Sequence, residues 1–145
     1  MNASPFGASP ARAILYHKQS TSALTRFLRL PYGGVCALGA LPGSVSLGEG
    51  EPGTRLLAHP TLVLSQLRDW LGVSEDSLEH DIEFRAWLDT EDGPLPVHLV
   101  RFTDIDPPFA EAEQRGAKFI TLTEARAMAP VELQLLQEAY RVILG

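Results

Sequence analysis

The chain has 145 residues, 45% of them hydrophobic, a formal net charge of −6 and one cysteine. That size and composition suit one soluble domain with a real core. They exclude the clustered cations that nucleic-acid phosphates or anionic membranes require, because the twelve Lys and Arg residues are scattered.

Cys36 stands alone, so neither a disulfide framework nor a Cys-x-x-Cys metal or redox pair is available, and a reducing cytoplasm is the expected setting. Residues 1–12 read as a disordered tail, rich in Ser, Pro and Gly and without the basic start and apolar middle of a secretory signal. Residues 13–145 read as a single α+β domain. Near the N-terminus the longest apolar run, Val35-Cys36-Ala37-Leu38, is far shorter than the roughly 20 residues a bilayer requires.

Ala13 to His17 suits a short strand, while Leu24, Phe27, Leu28 and Leu30 suit either the sheet or a short helix. Leu41-Pro42-Gly43-Ser44 has the chemistry of a type II turn, which predicts a weak hairpin between Val35–Leu38 and Val45–Leu47. Residues 48–54 are a polar breaker cluster, an exposed loop or hinge. From Pro60 onward, Val63, Leu64, Leu67, Trp70 and Leu71 share one side at helical spacing, and Gly72 supplies the left-handed stop. Ser74 to Glu79 predicts a further short helical turn.

The centre of the chain is a predicted β-hairpin over residues 82–103. Ile82 to Asp89 alternates apolar and polar, Thr90-Glu91-Asp92-Gly93 supplies turn chemistry, and Leu95 to Thr103 returns. Asp106-Pro107-Pro108 then signals a short helix stopped at Gly116, with Asp106 as its cap. Lys118 to Leu122 is a candidate third strand, and Thr123 to Arg126 another helical turn. The last helix starts at Pro130 and carries Leu133, Leu136, Tyr140 and Ile143 as its stripe, widened by Leu135, Ala139 and Val142, with Glu132 on the opposite side. This order predicts an α+β fold: an antiparallel sheet built on the central hairpin, with helices packed on one face.

One face of the hairpin, Ile82, Phe84, Ala86 and Leu88 with Leu95, Val97 and Leu99, is expected to be core. The other carries Glu83, Arg85, Trp87 and Asp89 beside His98, Val100, Phe102 and Asp104, too aromatic for a solvated surface. Either the chain itself or a partner should cover it. Arg85, Trp87, His98, Phe102 and Asp104 are therefore the candidate binding residues. His98 with Arg85 or Asp104 is the one acid–base arrangement available. Glu79, His80, Asp81 and Glu83 cluster potential metal donors, but neighbours on a strand point to opposite faces, so no metal site is expected. Cys36 lies in an apolar run without basic neighbours, as an inert thiol does.

No phosphate-binding loop, dinucleotide fingerprint, nucleophile elbow or His-Glu-x-x-His pair is present. Phe119-Ile120-Thr121-Leu122-Thr123-Glu124-Ala125 followed by Pro130-Val131-Glu132-Leu133 resembles the closing strand and helix of Nudix hydrolases. Their acidic metal-binding box is missing, so the resemblance, confined to this stretch, implies the shared strand and helix without the phosphate chemistry.

The expected function is that of a small accessory or regulatory binding module, self-associating or binding a protein partner through the Trp87 face or the last helix, with no cofactor. The alternative is a small-molecule-binding protein or enzyme with a pocket between sheet and helices.

Overall fold

Along residues 93–102 the side chains alternate between two apolar faces, Val97 and Leu99 on one and Val100 and Phe102 on the other, so this strand is buried only between two layers. The computed structural model, which describes residues 11–50 and 60–145, provides both layers. Seven strands form one sheet: β1 (Arg12–Lys18), β2 (Thr25–Arg29), β3 (Val45–Leu47), β4 (Leu78–His80), β5 (Ala86–Thr90), β6 (Gly93–Phe102) and β7 (Lys118–Ile120). Three α-helices join them, α1 (Pro60–Leu71), α2 (Phe109–Gln114) and α3 (Pro130–Leu144), with 3-10 turns at Glu75–Ser77 and Thr123–Ala127.

The strand order is β3-β5-β6-β1-β2-β7, and β4 pairs with the C-terminal half of β6 on the edge whose N-terminal half holds β5. Only β1 and β6 run parallel, with Arg12 opposite Val97 and Tyr16 opposite Arg101. The expected α+β class, with a mostly antiparallel sheet built on the β5–β6 hairpin, is what the structure has. Its helices, however, lie on both faces. Val63, Leu67 and Leu71 of α1 pack with Leu15, Val100 and Phe102. On the other side Leu135, Leu136 and Ala139 of α3 pack with Ile14, Leu88 and Leu99.

The hairpin is shorter than predicted. Asp81 reverses the chain, its side chain accepting the Glu83 N–H at 3.2 Å and its carbonyl the Phe84 N–H at 3.4 Å. Ile82, expected in the core, therefore stands in a turn and is 73% exposed, while Phe84 and Leu88 are buried. The predicted 35–47 hairpin does not form. Residues 35–38 make one bridge, Ala13 to Ala37, and Val45–Leu47 instead takes the edge of β5, where Leu47 faces Leu88. Gly43 lacks the positive φ that a type II turn needs.

Residues 25–29 belong to the sheet rather than a helix. Gly72, at φ +71°, closes α1 by donating its N–H to the Arg68 carbonyl at 2.8 Å. Asp106 does not cap α2; its carboxylate accepts from Gln19 Nε2 at 3.1 Å. The closing strand and helix are present as β7 and α3, but Glu132, expected on the solvent side of α3, is buried. Of the expected tail, residues 1–10 lie outside the described residues, whereas Ala11 is buried and Arg12 opens β1. Residues 51–54 of the expected loop or hinge also lie outside them. Among the described residues no helix is long and apolar enough to cross a membrane.

The second face of the hairpin is covered by the chain's own residues. α1 closes over Val100 and Phe102. Trp87 is half-buried against Gly48 and donates its indole N–H to the Gly50 carbonyl at 3.1 Å. Of the two covers expected for this face, the chain itself or a partner, the structure supplies the first over Val100, Phe102 and half-buried Trp87.

Candidate functional site

Across β4, β6 and β1 the register places Glu79, Arg101 and Tyr16 in one row, because Arg101 faces Glu79 on one edge and Tyr16 on the other. β4 ends at His80 and the chain reverses at Asp81. Glu79, Arg101 and Tyr16 share one face and the turn brings Asp81 beside Tyr16, while the His80 side chain, opposite Val100, stands on the other face. The result is a cavity of about 200 Å³ lined by Tyr16, Glu79, His80, Asp81, Glu83 and Arg101, with Ile82 at its side.

The Tyr16 hydroxyl donates to Asp81 Oδ2 at 3.1 Å. Burial pushes the Tyr16 phenol well above its ordinary value, and the charge and hydrogen bond of Asp81 push it further, with Arg101 opposing them. This hydroxyl is a donor at every physiological pH. Burial also lowers the His80 imidazole, partly offset by the negative Asp81, so His80 is neutral near pH 7. Behind it, His80 Nε2 and His98 Nδ1 are 3.2 Å apart, their rings edge to face at 71°.

The five residues proposed from sequence are dispersed. His98 meets His80, while Arg85 lines a separate groove of about 440 Å³ together with Gly48, Glu49 and Glu138. Trp87 is held by the 48–50 loop, and Phe102 is a core residue set edge to face against Phe119, centroids 5.4 Å apart. Exposed Asp104 accepts from the Ser77 hydroxyl at 3.5 Å, and its carbonyl takes His17 Nε2 at 2.8 Å.

Glu79, His80, Asp81 and Glu83 form a cluster in the sequence that the geometry of a straight strand divides between two faces. The turn at Asp81 brings Asp81 and Glu83 to the cavity beside Glu79, whereas Glu79 and His80, neighbours on β4, still point to opposite faces. Tyr16 and Arg101 carried no local signal, since a parallel pairing of distant strands brings them in. Among the described residues, no three His, Cys, Asp or Glu side chains form a group able to hold a metal ion. Cys36 is fully buried, and burial followed by the nearby Glu132 raises its thiol far above the ordinary value, as befits an inert side chain.

No family model matches the chain, and no curated protein matches it either. Among solved structures it is similar to the crystal structure of C. elegans Ap4A hydrolase, at 15% identity and a TM-score of 0.52. The likeness covers 93% of this chain and 96% of that one. At that identity the two share a fold, which here extends over nearly the whole of both chains.

Proposed function

We propose that this protein binds a small amine-bearing molecule in the cavity of Tyr16, Glu79, Asp81, Glu83 and Arg101, on a scaffold it shares with an Ap4A hydrolase. The observation that carries the reading is the convergence of these polar groups, from three adjacent strands and one turn, on a single small cavity. Small-molecule sites are concave and use a few placed polar groups of this kind.

The sign of the ligand follows from the lining. Glu79, Asp81 and Glu83 supply three carboxylates against the one guanidinium of Arg101. A cation is drawn into such a field, whereas a polyphosphate of the kind the neighbour's name implies is repelled. Binding, rather than metal-assisted hydrolysis of a polyphosphate, is the activity these residues favour. Self-association through Val100 and Phe102 has less behind it, because both side chains lie under α1.

The test is calorimetric titration of the full chain with 1,4-diaminobutane and, in parallel, with Ap4A. The diamine is expected to bind and to weaken about tenfold or more in Asp81→Asn, and to weaken as salt is added. Binding of Ap4A with no response to the diamine would overturn the proposal.

A further inference from the structure

We infer that His80 and His98 form a two-imidazole site for a divalent transition metal of the zinc and copper class. The two residues are diagonal neighbours on one face of the sheet, since His80 lies opposite Val100 and His98 stands two positions before it. Their nearest ring nitrogens, His80 Nε2 and His98 Nδ1, are 3.2 Å apart. Two metal–nitrogen bonds of about 2.05 Å meeting at roughly 100° span the same distance, so the backbones need not move and each ring turns by about 40° to aim its nitrogen at the ion rather than at the other ring. Both side chains are half-buried, and paired strands fix both backbones.

Without metal, one ring must offer an N–H and the other a lone pair. The ion takes the place of that shared proton, which moves to the other nitrogen of the donating ring, leaving two lone pairs on the metal. Imidazole suits zinc, copper and nickel, and discriminates against magnesium. Asp81, next in the chain, is held by the Tyr16 hydroxyl and the Glu83 N–H, so the pair supplies two ligands and water completes the coordination. The inference stands whether or not the neighbouring cavity binds an amine.

The test uses the full chain and Zn²⁺ alone, followed through the ring ¹H–¹⁵N signals of its four histidines. His80 Nε2 and His98 Nδ1 are expected to move to metal-bound positions below about 1 mM Zn²⁺, with no response to Mg²⁺. Apparent affinity should fall about tenfold or more in His80→Gln and in His98→Gln. Silence of both signals, a response confined to His17 or His59, or undiminished binding in both variants would overturn it. Should a variant fail to fold, the spectra of the unaltered protein decide alone.

Discussion

Glu132 illustrates how much one side chain can hold. It is only 7% exposed, and its Oε1 accepts the Val35 N–H at 2.8 Å and lies 3.1 Å from the Tyr32 hydroxyl, tying the first turn of α3 to the loop after β2. The contact depends on a missing side chain: a Cβ on Gly34 would lie 2.3 Å from that same oxygen. Hydrogen bonds to a charged group are worth about 1.5–3 kcal/mol. Glu132→Ala should therefore lower unfolding stability by about that amount in urea titrations. Helical periodicity assigned Glu132 to solvent because it reads polarity and spacing, while the partner that justifies its burial is 97 positions away. His80 carries a prediction in pH. Burial holds its folded value below the ordinary 6.5, so on acidification the unfolded chain takes up the proton first. Stability is complete above about 6.5, falls as pH drops through that value, and levels off below the folded value. Chelator-treated protein should show this slope in pH-dependent unfolding, and His80→Gln should flatten it.

At the scale of elements, α1 was the most legible. Its apolar spacing, its opening Pro60 and its stop at Gly72 are local signals, and the structure uses each of them. Gly72 sits at φ +71° with open space around the position of a Cβ, so Gly72→Ala tests backbone conformation without a clash. It should cost about 1 kcal/mol, seen as a lower denaturation midpoint with an unchanged slope. The hairpin was legible in its turn and its second strand but not at its start. Alternation continues through Ile82 to Arg85 although the chain is turning, because an Asp side chain bonding to nearby backbone overrides a strand pattern without disturbing it. Val45–Leu47 was read correctly as a strand and given the wrong neighbour. Pairing of so short a strand is decided by which edge is free, here that of β5, rather than by its own residues.

For the whole molecule, the α+β class and the need to cover the Trp87 face followed from alternation and element order. The identity of the cover did not, since which helix lies on which face is settled only when all strands are assembled. The same limit hid the cavity. Its acidic rim is local, but Tyr16 and Arg101 meet across the one parallel pair of the sheet, which no turn announces. That pair also has a consequence for biosynthesis. Arg12 to Tyr16 leave the ribosome early and cannot take their places until Val97 to Arg101 have followed. At translation rates of about 5–20 residues per second, this leaves Ile14 and Leu15 waiting roughly ten seconds beside an unfinished sheet. Pairings between such distant segments are also slow to close. The nascent chain is therefore most exposed to misassembly late in its synthesis, and factors that shield apolar segments during translation should matter more to its yield than to the finished protein.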